Sequence, residues 1–169
     1  MSSYDYGKDE VVKYILDNFP AGSTCLDVGA CDGKWQGLLG GQLVMDAVEI
    51  FEPNIRQNNL RSKYRCVYSC DVYDCHYDWY DLIIFGDVIE HMTVERAQAV
   101  LKWARPRCRD MIIGVPFRYR QDAIYGNPYE IHIQDDLTPE LFDDRYPGYE
   151  ILVQPRGDYA YYHLPPVEK

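Results

Sequence analysis

The feature that most constrains this chain is a recurring set of short runs that are apolar through their middles. They are "TCLDVGA" at 24–30, "LVMDAVEI" at 43–50, "YDLIIFGD" at 80–87 and "DMIIGVPF" at 110–117. A strand with one solvated face alternates apolar and polar residues, whereas a strand covered on both faces loses that alternation. Runs of this kind, interleaved with stretches of helical spacing, predict an α/β architecture: a mostly parallel sheet with helices on both faces.

The remaining segments fit that plan. Val11, Val12, Ile15, Leu16 and Phe19 recur at helical spacing before the first run. "EPNIRQNNLRSKY" predicts one helix with Pro53 in its first turn, and "RCVYSCD" a third strand in chain order. Thr93 suits the N-cap of a helix whose Ala97, Val100, Leu101 and Ala104 share a face. After Phe117 comes a long polar loop, 118–136, and then a short helix opened by Thr138 and Pro139. "YEILVQPRG" and "DYAYYHLPP" read as two closing strands around a Gly-Asp turn, an antiparallel pair at one edge of a seven-stranded sheet. No repeat or linker interrupts the chain, so a single domain over 1–169 is expected.

A formal net charge of -10 argues against nucleic acid as a partner, because phosphate readers carry a basic footprint. No run is long enough for membrane insertion and the first residues lack a signal-peptide core, so a cytoplasmic protein is expected. The six cysteines contain no C-x-x-C pair and read as reduced thiols. Cys66, Cys70, Cys75 and His76 match no common zinc spacing, and two of them fall on the expected third strand. They are expected to be small buried hydrophobes, and no metal site is assigned.

In an open parallel sheet, ligands bind outside the carboxyl ends of the strands. Those ends carry Asp27 to Gly29, then Glu49, Asp71, and Gly86 with Asp87. The turn "GACDGKW" lacks the second glycine of a dinucleotide-binding G-x-G-x-x-G, and it lacks the G-K-[ST] ending of a P-loop. Asp27 and Asp32 put negative charge where a pyrophosphate would lie. The site suits a ligand with positive charge and hydroxyls.

These motifs together resemble the class I S-adenosylmethionine-dependent methyltransferases over nearly the whole chain. "LDVGACDGKW" is similar to the family's acidic-G-x-G-x-G motif with Cys31 at the middle glycine, and "DAVEIFEPNI" to its second motif. "SCDVYD" resembles the acidic position after the third strand, and "YDLIIFGDVIEHM" the fourth motif. The resemblance implies a Rossmann-like methyltransferase fold with S-adenosyl-L-methionine as cofactor. It also implies a binding set of Asp27, Gly29, Ala30, Gly33, Glu49, Asp71, Val72, Gly86 and Asp87. Within it, Gly29 lets the backbone approach the methionine part, and Asp27 orients the turn and favours the ammonium. Glu49 accepts from the ribose hydroxyls, Asp71 from the adenine amino group, Val72 offers its amide and Gly86 its carbonyl. For Asp71 a turn-capping role is the alternative.

Methyl transfer from a sulfonium is an in-line displacement, and a base is needed only for a hydroxyl or a protonated amine. His132 in the long loop is the first candidate, with pinning of that loop as its alternative; His91 after the fourth strand and His163 on the last strand are others, His91 alternatively holding the start of the next helix. The loop around "GNPYEIHIQDDLTPELF" also resembles a segment of methyltransferases encoded near glycan- or envelope-biosynthesis functions. Tyr4 and Tyr6 are candidates for an N-terminal lid. A chain of 169 residues with an acidic balance points to a small or medium acceptor, of sugar or glycan-precursor type. The same residues also suit a protein that binds S-adenosylmethionine as a sensor or scaffold without transferring its methyl group.

Overall fold

The structure is a computed structural model describing residues 6–77 and 79–164, apart from the side chains of Pro155 and Arg156. Its strands are β1 (Thr24–Val28), β2 (Val44–Val48), β3 (Val67–Tyr68), β4 (Tyr80–Gly86), β5 (Cys108–Pro116), β6 (Glu150–Arg156) and β7 (Tyr159–Leu164). The helices are α1 (Lys8–Asn18), α2 (Lys34–Leu39), α3 (Glu52–Gln57), α4 (Leu60–Lys63), α5 (Val94–Ala104) and α6 (Pro139–Arg145). One seven-stranded sheet runs in the order β3-β2-β1-β4-β5-β7-β6. It is parallel from β3 through β5 and antiparallel at β7 and β6.

Apolar continuity within the strands has the expected consequence. Leu26, Val28, Ile83, Phe85, Met111 and Ile113 pack on one face with α5 and α6, through Val100 and Phe142. Cys25, Ala47, Leu82, Ile84 and Ile112 pack on the other with α1, α2 and α3, through Ile15, Leu39 and Ile55. Each fully buried aliphatic or aromatic side chain contributes about 1.5–3 kcal/mol, so the two layers hold the sheet between them. Thr93 caps α5 by accepting from the Arg96 amide, and Thr138 caps α6 by accepting from the Leu141 amide. All four residues expected on the inner face of α5 are buried.

Three local expectations are corrected. The stretch 52–64 is two helices, broken where Asn59 takes φ 52°, a conformation asparagine tolerates better than most residues. That break turns Leu60 into the core. The third strand is only Val67–Tyr68, so Cys66 and Cys70 flank it, and Cys66 is exposed rather than a buried hydrophobe. On α1, Val11 and Ile15 are buried while Leu16 is 47% exposed, so the apolar stripe is narrower than its sequence. All six cysteines are free thiols. No helix among the described residues is long and apolar enough to cross a membrane.

Candidate active site

The strand order reverses between β1 and β4, and at their carboxyl ends lies a cleft of about 640 Å³. Gly29, Ala30, Glu49, Asp71 and Val72 line one end of it. Gly86, Asp87, His91 and His132 line the rest together with the loop after β5. Asp27 and Gly33 stand behind the lining.

The first end is built by the glycine turn after β1. Gly29, at φ 72°, donates to the Val48 carbonyl at 2.9 Å, and a Cβ there would lie 2.8 Å from Val88 Cγ2. Only glycine fits both the conformation and that approach. Cys31 follows at φ 47°, again left-handed, which is why related turns favour glycine at this place. The Glu49 carboxylate clamps the turn: Oε2 accepts from the Cys31 amide at 2.8 Å, and Oε1 from the Phe51 amide at 2.8 Å. Burial pushes the Glu49 carboxyl up, with those two amides opposing. Asp27 points under the turn, where it accepts from the Tyr64 hydroxyl. Burial dominates there and raises its carboxyl to about 7, against the Tyr64 hydrogen bond. Asp27 is thus a buried support of the turn and does not touch the cleft. Gly33 is the N-cap of α2 at φ 81°.

Asp71 takes the capping role: Oδ1 accepts from the Tyr73 amide at 2.9 Å and pairs with Arg96 at 2.9 Å. Gly86 leaves room for Trp35, whose Nε1 would lie 2.6 Å from a Cβ at that position. That indole nitrogen is buried in the cleft wall and has no hydrogen-bond partner among the described residues. Asp87 occupies φ 56° and lies against the buried Tyr159 hydroxyl, which it helps to raise well above its ordinary pKa after burial itself.

The other end is assembled from distant chain segments. Ile89–His91 form a single 3-10 turn after β4, and the Glu90 carbonyl accepts from the amides of Ile133 and Gln134. The Gln134 side chain donates back to the carbonyls of Ile89 and Met92 at 2.8 and 3.1 Å, and accepts from the Tyr146 hydroxyl. This stapling brings His132 beside His91, with ring centroids 4.7 Å apart. His91 Nδ1 donates to the Ile131 carbonyl at 3.2 Å, and His132 Nδ1 to the Tyr119 carbonyl at 2.6 Å. Burial, and then its neighbour His132, push His91 down to about 4, and burial lowers His132 as well. Both rings are therefore neutral at pH 7. Glu90, 0% exposed, faces them; burial and then the Asp87 charge hold its carboxyl well above the usual range, partly offset by the amides of Glu90 and Val88.

Other candidates fall elsewhere. His163 contacts Tyr14, Asp110 and Glu150 and does not line the cleft. Tyr6 donates to the Gln154 carbonyl on β6, so it packs against the sheet edge rather than over the cleft; Tyr4 lies outside the described residues. Sequence reasoning missed Glu90, Gln134, Trp35 and Arg96. Only Glu90 carried a local signal, as an acid beside His91 in "DVIEHM".

No family model matches this chain, and no curated protein matches it in sequence. Solved structures do match in shape. A methyltransferase dependent on S-adenosylmethionine from Clostridium acetobutylicum ATCC 824 is 13% identical, covering 95% of this chain and 91% of that one, with a TM-score of 0.70. The fold is that of the S-adenosylmethionine-dependent methyltransferases. The N-terminal domain of EvdMO1, crystallised in the presence of SAH and D-fucose, is 14% identical over 98% of this chain and 85% of its own, with a TM-score of 0.69. Magnesium protoporphyrin IX methyltransferase from Synechocystis PCC 6803, with bound SAM, is 17% identical over 92% and 76% of the two chains, with a TM-score of 0.60.

Proposed function

We propose that this chain is an S-adenosylmethionine-dependent methyltransferase that acts on a hydroxyl of a small or medium acceptor of sugar or glycan-precursor type. The observation that carries the reading is the cleft itself, with Glu49 and the glycine turn at one end and neutral His91 and His132 at the other. The residues present fit the cofactor. Glu49 Oε2 accepts the Cys31 amide and meets Asn54 Nδ2 at 3.5 Å, whereas Oε1 accepts only the Phe51 amide and keeps a second lone pair for a ribose hydroxyl. The orphaned Trp35 Nε1 is a donor suited to the methionine carboxylate. Asp32, Glu49, Asp71 and Asp87 along the lining favour a ligand that carries net positive charge.

Bound S-adenosylmethionine supplies an electrophilic methyl group on its sulfonium. The chain's own residues hold the adenosine end through Glu49, and shape the methionine end through Gly29, Ala30 and Gly86. They align the acceptor from the loop of 119–133. His132 and His91 line the cleft and are the acceptor-activating pair. The sugar class rests on acceptor-loop resemblance and on the neighbour crystallised with D-fucose.

Calorimetry with S-adenosylmethionine and S-adenosylhomocysteine, followed by assays of S-adenosylhomocysteine release with hydroxylated sugars, tests this. Micromolar binding and acceptor-dependent release are expected. Absence of binding overturns the reading. Binding with no release across sugar acceptors favours a sensor or scaffold instead.

A further inference from the structure

The acceptor end of the cleft brings together three metal-ligating side chains with no hydrogen bond between them. Glu90 Oε1 lies 3.9 Å from His91 Nε2 and 4.0 Å from His132 Nε2, and the three ligand atoms lie within 4.8 Å of one another. These separations are too long for direct hydrogen bonds and leave space for one atom. Both imidazoles spend their Nδ1 protons on backbone carbonyls, Ile131 and Tyr119, which can only accept. In a neutral ring that leaves Nε2 as a bare lone pair. The third member, Glu90, is fully buried, and neither of its carboxylate oxygens has a hydrogen-bond partner among the described residues. A buried carboxyl with no hydrogen-bond partner is costly, and a bound cation would supply the missing partner.

We infer that Glu90, His91 and His132 form a site for a divalent transition-metal cation, with its open positions turned toward the cleft. The donor set of two imidazoles and one carboxylate suits manganese, iron, cobalt, nickel or zinc and is poor for calcium or magnesium, which prefer oxygen. Two ligand atoms on a tetrahedral zinc ion stand about 3.4 Å apart, so the separations of 3.9 and 4.0 Å need the three side chains to close by a few tenths of an ångström around the ion. The supports that metal sites need are present: each ring is oriented by its Nδ1 hydrogen bond. The turn carrying Glu90 and His91 is also tied to the loop carrying His132 through Ile133, Gln134 and the Glu90 carbonyl. Both histidines line the cleft while Glu90 sits behind them. An ion held there faces the space of the acceptor, and it would bind that molecule's hydroxyl oxygen directly and lower its pKa. The cation site stands on the geometry alone; its acceptor role rests on the methyltransferase reading above.

The full-length protein, stripped with a chelator and dialysed, is titrated with Co²⁺ followed by visible absorption, and with Mn²⁺ followed by electron paramagnetic resonance. One ion per chain with micromolar or tighter affinity is expected, together with a cobalt spectrum of nitrogen and oxygen ligation. His132→Ala and Glu90→Gln should each weaken binding at least 30-fold. Because a variant can lose its fold, the melting temperature of the unaltered chain is read with Mn²⁺ and with chelator; a rise with the ion is expected. Failure to saturate at millimolar ion, or binding that both variants retain, overturns the site. S-adenosylhomocysteine is titrated into the same metal-free protein. Its binding without any metal binding sinks the cation site alone, whereas metal binding without it sinks the methyltransferase reading and leaves the cation site standing.

Discussion

Two buried glutamates stand at the two ends of one cleft, and their surroundings are opposite. Glu49 is met by backbone amides on both oxygens, so its charge is built into the turn it clamps. Glu90 faces two histidine rings and makes no hydrogen bond among the described residues, with only the nearby amides of Glu90 and Val88 tempering its charge. The first end is complete as protein and offers a spare lone pair to a ligand. The second is incomplete as protein, and only a cation or a proton makes it whole. Asp27, with its Tyr64 hydrogen bond set against full burial, lies between the two cases.

The largest expected effect tests the satisfied end. Glu49→Met keeps similar bulk but strands the amides of Cys31 and Phe51, each costing about 1–3 kcal/mol, so a loss of about 2–6 kcal/mol is expected in urea denaturation. A loss below about 1 kcal/mol would mean the clamp is replaceable by water, and the contrast between the two glutamates would disappear.

Asp27 supplies the intermediate case through pH. Its folded pKa of about 7 lies above the ordinary 3.8, so between those values the folded chain keeps a proton that the unfolded chain has released. Stability therefore falls as pH rises through that window and levels off above it, by up to about 4 kcal/mol from this one group. Asp27→Asn removes the titration. Denaturation curves at pH 4 to 8 should show the unaltered chain losing ground to the variant until about pH 7. Parallel curves would mean that the Tyr64 hydrogen bond already compensates burial, which moves Asp27 into the class of Glu49.

The unsatisfied end predicts the opposite sign. In the presence of chelator, Glu90→Met exchanges an unpartnered buried carboxyl for a thioether of similar size, and a gain of about 1–3 kcal/mol is expected. Added Mn²⁺ should then stabilise the unaltered chain and leave the variant unmoved. If Glu90→Met destabilises in chelator as strongly as Glu49→Met does, the two ends are alike and the comparison fails.

The same division marks what could be read in the sequence. The first end is written in contiguous motifs: "LDVGACDGKW", Glu49 at the end of β2 and Gly86 at the end of β4 all carry their meaning locally. Strand runs were legible because covering both faces leaves a chemical signature, and helix α5 because its cap and its stripe agree. The break at Asn59 was not legible, since a helix-like composition continues through it while one left-handed residue re-aims the chain. At the second end, His132 meets His91 and Glu90 only because Gln134 staples the loop to the 3-10 turn, a contact between segments some 40 positions apart. Asp27 shows the subtler limit: its place was legible, but the direction of its side chain, toward Tyr64 and away from the cleft, depended on what packed behind the strand.

The smallest expected effect concerns the one residue of the glycine turn that departs from the pattern. Cys31 holds φ 47°, where a side chain costs about 1 kcal/mol and glycine almost nothing. Its amide, not its thiol, makes the bond to Glu49, so Cys31→Gly keeps the clamp. Glycine also gives the unfolded chain more freedom, which takes back part of the gain. A net stabilisation of about 0.5 kcal/mol follows, a rise in Tm of about 1–2 °C for a chain of this size. Burial pushes the thiol up to about 11, so at pH 7 it is a neutral group beside the cleft and its removal changes shape rather than charge. Tighter S-adenosylhomocysteine binding by the variant would show that the side chain narrows the satisfied end. A lower Tm would show that thiol packing outweighs the left-handed strain, and that this turn has been refitted around cysteine.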